Sequence, residues 1–379
     1  MRIPFHASPR RTVGVEMELA IVRDDSGELE NAASALLREL EGPDGSEHPK
    51  AKHELFEHTV EIVTGVSETV ADARADLQGT LLELDAVARP RGLRLFCAGS
   101  HPFSHWHQGV VSPDPRYQEL VREMQWLAQR LQIFGVHVHV GVSGPEPAVA
   151  IANALTGYLP HFLALSSSSP YWEGHDTGLA SARVKVFEGL PTAGLPYRLD
   201  DWSDFERFMT TLQNAQAITS IREVWWDVRP HPDFGTVELR VCDGLPTLHE
   251  VAAIAALAQS AVLMFETRMA EGHALPFPSE WVLRQNKWQA TRYGLDAALI
   301  VDEAGNRRPL REAIAELVEE LAPFAEQLGC RAELAGVHRI LADGPSSERQ
   351  RAVVAAGGTL PDVVKALVSE LATDIPFLA

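Results

Sequence analysis

Glu16 and Glu18 stand two residues apart in RTVGVEMELAIVR, residues 11–23. In a strand such neighbours leave the same face, where two carboxylates repel unless a cation or an arginine lies between them. Glu54, Glu57 and Glu61 repeat the theme in ELFEHTVEIV, residues 54–63. Glu57 and Glu61 share a face if that strand is regular, while Glu54, seven residues before Glu61, needs a bend to join them. His137 and His139 in GVHVHVGVS, and Glu238 with Arg240 in GTVELRVCD, have the same spacing of two, with valine or leucine between them. Carboxylate oxygens with an imidazole suit hard or borderline divalent cations. The set contains no cysteine, which argues against structural zinc, and there is no HExxH. Arg183, Arg229, Arg240, Arg284 and Arg292 lie in segments that read as strand ends or loops. Guanidinium groups clamp phosphates and carboxylates through paired hydrogen bonds. Glutamates and arginines on one sheet face point to metal–nucleotide chemistry, in which cations and arginines neutralise a phosphoryl group in transfer.

The elements that must position these groups follow from periodicity. Strands are expected at 13–20, 54–63, 94–100, 135–142 and on both sides of the turn HPDFG, residues 231–235. Helices are expected at 67–88 behind Ser67, from Pro115, from Pro147 to about Leu165, and behind a capping box of Ser203 and Glu206. Thr247 and Glu250 form a second box opening the apolar helix 248–270, with further helices at 279–291, 310–327, near 331–341 and at 359–372. The stretch 166–200, rich in Ser, Gly and Pro, reads as a long functional loop. In it SSSSP, residues 166–170, reads as a turn rather than a nucleophile. His101, His105 and His107 in HPFSHWHQG have no standard ligand spacing and read as a loop beside substrate. Strands are scattered between helices without a βαβ rhythm, so the class is α+β, one domain over 1–379 on a mostly antiparallel sheet.

Composition narrows the function classes. The chain has 379 residues, 45% hydrophobic and 22% charged, which is globular composition. Its 33 basic against 52 acidic residues give a net charge of −19, which argues against a nucleic-acid surface. Three scattered cysteines, Cys97, Cys242 and Cys330, make no disulfide framework and indicate a reducing, cytoplasmic setting. The N-terminus shows no apolar secretory region, and the apolar run from Val251 to Phe265 reads as a buried helix rather than a membrane span. No Walker motif, no GxGxxG behind a strand and no GxSxG elbow occur.

Read together, GVEMEL, ELFEHTVEIVTG, CAGSHPF, GVHVHVG, ALSSSSPYWEG, DTGLASAR, WWDVRPHPDFGTVELRVCD and NKWQATRYGL resemble the bacterial carboxylate–amine ligases known as type 2 glutamate–cysteine ligases. The resemblance runs in order from about residue 10 to about residue 370. It implies a glutamine-synthetase-like catalytic fold, a curved antiparallel sheet backed by helices, with ATP and Mg2+ or Mn2+ inside the concave face. It also implies ATP-dependent amide formation through an acyl phosphate, with L-glutamate and L-cysteine as the leading pair, in a homo-oligomer such as a dimer. By the same resemblance, Glu16, Glu18, Glu54, Glu61, His137 and Glu238 hold metal, and Glu57, between two ligands, joins Arg240 and Arg183 as a catalytic candidate. His139, Arg229, Arg240, Arg284 and Arg292 serve the nucleotide, and Arg183 lies on the amino-acid side. Another acid and amine pair, or a metal-dependent amide hydrolase in the same cleft, are the alternative readings. A fold that has lost its reaction predicts gaps in the carboxylate set, and there are none.

Overall fold

Alternation within β1 (Val13–Arg23) sets the architecture. Val13, Val15, Met17, Leu19 and Ile21 are fully buried on one side, and Glu16 and Glu18 leave the other. The computed structural model describes residues 2–373. β1 lies inside a seven-stranded sheet with β2 (Ala51–His53), β3 (Thr59–Val63), β4 (Leu93–Phe96) and β5 (Val136–Gly141). Tyr171–Trp172 (β6) and His175–Asp176 (β7) form a separate hairpin, and β8 (Val228–His231) and β9 (Thr236–Leu239) complete the sheet. The order is β2-β3-β1-β5-β9-β8, with β4 beside the end of β1, and every ladder is antiparallel. Ala298–Ile300 (β10) and Arg307–Pro309 (β11) make a small outlying hairpin.

The apolar face is covered by helices. α1 (Ala33–Glu39) and α2 (Val70–Ala88) cross between β1 and β4 in the chain, and α3 (Pro115–Met124) and α4 (Trp126–Gln129) precede β5. α5 (Pro145–Thr156), α6 (Leu159–Ser166), α7 (Ala182–Phe187) and α8 (Trp202–Asn214) separate β5 from β8. α9 (Leu248–Ala270) is followed by α10 (Glu280–Tyr293), α11 (Leu310–Leu328), α12 (Arg331–Asp343), α13 (Ser346–Ala355) and α14 (Leu360–Thr373). α9 is the core helix. It packs on α2, α5, α11, α12 and β5. The Thr247 hydroxyl accepts from Glu250 N and donates to the Glu250 carboxylate, as the sequence predicts. Its 23 residues are long and apolar enough to cross a membrane, but 89% of its most apolar window is buried in protein. Burial on all sides explains its near-continuous Ala, Leu, Val and Ile content.

Several expected boundaries move. Residues 54–58 are not strand: Leu55 and Glu57 exchange backbone bonds with Ser112 and Val110, which bends the chain away before β3 starts at Thr59. The cap of α2 is Thr69, because Ser67 pairs with Val13 at the sheet edge. Asp201, not Ser203, caps α8 and accepts from Asp204 N. The helix expected from Pro147 begins at Pro145 and breaks into α5 and α6, bent by 62°. α13 had no expectation from sequence.

Candidate active site

Antiparallel register gathers the charged residues into one row. Residues directly opposite one another share a face. Glu61 pairs with Glu18, Glu16 with His137, His139 with Glu238, and Glu238 with Arg229. Five strands thus deliver glutamate, histidine and arginine side chains to one surface, the floor of an open cleft of about 580 Å³. Beyond β9 the amides of Arg240 and Val241 both donate to the Asp227 carbonyl, at 2.8 and 3.1 Å. Two residues facing one is the mark of a bulge, and Arg240 leaves the strand there beside Glu238.

Two electrostatic halves result. In the first, His137 Nδ1 lies 3.0 Å from Glu16 Oε2, and His139 Nε2 lies 3.3 Å from Glu16 Oε1 and 3.8 Å from Glu238 Oε1. Arg229 Nε donates to Glu238 Oε2 at 2.8 Å, and Arg240 Nη1 donates to Glu238 Oε1. Glu238 is 1% exposed. Burial would raise its pKa, but Arg229 and Arg240 hold it well below the usual range. Burial also opposes ionisation of Glu16, and hydrogen bonds from His137 and His139 overcome it. His137 is held down at about 4, first by burial and then by Arg240, so its ring is a neutral ligand near pH 7. His139 moves the other way: the charges of Glu238 and Glu16 outweigh burial and raise it.

In the second half burial outweighs the cations nearby. Burial, then the charge of Glu54, pushes Glu18 up to about 8. Burial, then Glu16, Glu54 and Glu18, pushes Glu61 well above the usual range. Burial raises Glu54 as well. Gly135 N donates to Glu18 Oε2 at 2.6 Å and Leu55 N to Glu54 Oε2 at 2.6 Å, which orients both carboxylates without neutralising them. Lys52, paired with Glu61 across β2 and β3, lowers Glu61, Arg183 and Arg240 lower Glu18, and Arg116 and Arg240 lower Glu54, none of them enough to offset burial. Carboxylates pressed together in this way fit a divalent cation. Ligand atoms of Glu16, His137 and Glu238 lie within 4.8 Å of one another, so these three residues fit a metal, while Glu18, Glu54 and Glu61 line the same cleft without converging as tightly.

Among the arginines expected at the site, Arg183, Arg229 and Arg240 line the cleft. Arg229 Nη1 is committed to the carbonyls of Ile221 and Val224, whereas Arg183 Nε and Arg240 Nε are buried without a hydrogen-bond partner. Arg284 and Arg292 are not in the cleft. Both ride on α10, whose buried side faces the core, and Arg284 is spent on Glu280 at the surface. Arg292 lies over the Tyr293 ring. Glu57 is also turned away: Ser34 N and Oγ donate to its two carboxylate oxygens at 2.9 and 2.6 Å, so it caps α1. Glu54, from the bend before β3, is the one that reaches the cleft. His101 is buried and bonded to backbone, and His105 and His107 meet Glu173 on the surface, outside the cleft.

Sequence reasoning missed the support beneath these groups. Asp243 is fully buried and accepts from Ser168 N, Ser169 Oγ and Ser181 Oγ at 3.0, 2.6 and 2.7 Å. The serine run is therefore a cradle for a carboxylate, and the Ser169 hydroxyl also accepts from Arg183 N at 3.0 Å. Lys287, 3% exposed, binds Asp227 at 2.5 Å and Glu188 at 2.6 Å. It fixes Asp227, just before β8, whose carbonyl takes the Arg240 amide. Tyr117 on α3 joins the wall beside Glu54, and burial followed by the Glu54 charge raises its pKa. Serine runs, a lone aspartate and a helical lysine carry no spacing that would single them out.

Both the sequence and the fold have counterparts among known proteins. A relative in Thermobifida fusca named "Putative glutamate–cysteine ligase 2" is 53% identical over 377 residues, 99% of this chain and 94% of the relative. A Frankia casuarinae protein of the same naming is 54% identical, with 99% of each covered. Among solved structures, the Francisella tularensis glutamate–cysteine ligase in complex with AMP superposes with a TM-score of 0.69 at 12% identity, covering 99% of this chain and 92% of that one. The bifunctional glutathione synthetase of Pasteurella multocida gives 0.68 at 15%, covering 97% of this chain and 53% of that one. At such identities the likeness is one of fold: an antiparallel sheet backed by helices. The profile of glutamate–cysteine ligase family 2 matches residues 12–366, and the chain belongs to that family.

Proposed function

We propose that this chain joins a carboxylic acid to an amine at the expense of ATP, with L-glutamate as the acid and L-cysteine as the amine, in one catalytic domain. The carrying observation is the divided cleft. One half crowds carboxylates whose ionisation burial opposes, and Arg183 and Arg240, each with an unused buried donor, line the same cleft. That pairing suits phosphoryl transfer, where charge on the moving group must be met by metal and guanidinium. The names of the relatives support the substrate pair.

A carboxylate does not react with an amine at neutral pH until an oxygen is made a leaving group. The acid's side-chain carboxylate takes the γ-phosphoryl group of ATP, ADP leaves, and the amine then displaces phosphate from the acyl phosphate. Glu16, His137 and Glu238 would hold one Mg2+, and Glu18, Glu54 and Glu61 a second; bound there, the ions supply charge neutralisation for the triphosphate. Arg240 reaches the transferring group with donors that Glu238 leaves free. Arg229 fixes Glu238 from behind, and His139 faces the phosphates. Arg183, held by the serine–Asp243 cradle, serves the amino-acid side. Glu57 has no chemical part.

ADP release tests the reading. Mg2+, ATP, L-glutamate and L-cysteine together should give ADP, phosphate and γ-glutamylcysteine, with each component required. ADP formation from another acid and amine would keep the reaction class and replace the pair. Amide hydrolysis without nucleotide would reject the class in favour of a hydrolase.

A further inference from the structure

Phe234 is a large apolar side chain that stands at the rim of the cleft with 57% of its surface exposed. It sits in the four-residue turn 232–235 between β8 and β9. Gly235 closes that turn at φ +65°, and a Cβ there would collide with the His6 carbonyl. His6 N also donates to the Pro232 carbonyl at 3.0 Å, so the N-terminal segment pins the turn from behind. The ring is thus presented on a fixed support. It lies parallel to His231, with centroids 4.2 Å apart and planes 5° apart, and meets His139 edge-on at 5.6 Å. His139 in turn touches Glu16 and Glu238. A line of rings runs from the mouth of the cleft to its carboxylates. His231 Nδ1 is buried with no hydrogen-bond partner, which leaves a polar atom beside the shelf.

We propose that the Phe234–His231 pair is the stacking shelf for the nucleobase of the nucleotide, with the base on the outer face of Phe234. The proposal rests on the ligase reading and adds to it where the purine lies. An aromatic face binds any base through its π surface and needs no hydrogen-bond code. The shelf stands beside His139, Arg229 and Glu238, the residues assigned to phosphate and metal. The apolar side chains of Leu120, Leu131, Ile133 and Phe187 come from other elements of the cleft and leave a separate wall for the amine. A base on Phe234 places the triphosphate along His139 towards the floor, so one elongated ligand satisfies both ends.

Calorimetric titration of the full chain in Mg2+, with ATP and with inorganic tripolyphosphate, separates the base from the phosphates. In F234A the ATP affinity should fall about 10- to 100-fold, the range of base–aromatic stacking, while tripolyphosphate binds as to wild type. F234Y should restore ATP binding, and F234W should show fluorescence quenched by ATP but not by tripolyphosphate. Wild-type ATP affinity in F234A overturns the proposal, as does an equal loss for both ligands, which would make Phe234 a support for the turn alone. A change confined to the amine's KM would overturn it in favour of an amine shelf. If wild type itself binds no ATP, the ligase reading fails first, and the shelf fails with it.

Discussion

R240K isolates the residue on which the phosphoryl step depends. Arg240 Nη1 donates to Glu238 Oε1 and lies 3.5 Å from His137 Nδ1, while its Nε is buried without a partner. One guanidinium can therefore orient a metal ligand and still meet the transferring oxygens. A lysine ammonium keeps the charge but is a single point, and it can serve one of these contacts at a time. Glu238 keeps Arg229 at 2.8 Å, so the variant should fold. A charge-assisted hydrogen bond present in the transition state contributes about 1.5–3 kcal/mol, or roughly 10- to 100-fold in rate at 1.36 kcal/mol per decade. Turnover followed by ADP release at saturating ATP should fall by that factor, with KM for ATP nearly unchanged, because the lost contact strengthens in the transition state. If Arg240 only orients Glu238, metal affinity falls instead and added Mg2+ restores the rate. Turnover near wild type at ordinary Mg2+ would refute both versions and shift the contact to another cation of the cleft, with Arg183 and its free Nε the next choice.

Four further substitutions probe the remaining assignments. E54Q should weaken Mg2+-dependent ATP binding and turnover at least tenfold, whereas E57Q, which weakens the cap on α1, should lower stability by about 1 kcal/mol and leave turnover alone; equal kinetic effects would reverse the assignment. K287M leaves Asp227 and Glu188 without their shared cation and should cost about 3–5 kcal/mol in urea unfolding; a cost under 1 kcal/mol would remove Lys287 from the support of β8. His58 is held down at about 3, first by burial and then by the charge of His101. The native ring stays neutral while the unfolded ring takes a proton below about pH 6.5, so stability falls as pH falls through that window. Between pH 7 and pH 5 this amounts to about 2 kcal/mol, and H58F should lose that much less than wild type over the same interval, measured by denaturant unfolding.

The readable part of the fold was the part built on a period of two. In GVEMEL, GVHVHVG and GTVELRV, alternation fixes which side chains share a face, and antiparallel pairing of those strands then aligns the faces without further instruction. The α9 cap was equally plain, since Thr247 and Glu250 satisfy each other locally. Boundaries failed where a distant partner outbid the local pattern. Ser67 looked like a cap and was taken by Val13 at the sheet edge. Ser203 lost to Asp201, whose carboxylate accepts from Asp204 N and also from the Ser203 hydroxyl.

The same contrast governs the site. Glu57 and Glu61 would share a face only if the strand ran unbroken through 54–63, and it does not, because backbone partners at Val110 and Ser112 hold the bend. The bend does two things at once: it brings Glu54 in towards Glu18 and Glu61, and it sends Glu57 out to Ser34. No spacing rule contains that, since it depends on backbone partners at Val110 and Ser112, far along the chain. Local rules also disfavour what the bend achieves. Three carboxylates buried close together, Glu18 and Glu61 raised further by neighbouring carboxylates, destabilise the fold, and the chain keeps them together by building around them: Gly135 and Leu55 amides orient two, while β3, β1 and the bend fix their separation. Such a conflict between local cost and retained geometry is what the proposed cation site would require. In this chain it coincides with the one face on which glutamate, histidine and arginine alternate with the core.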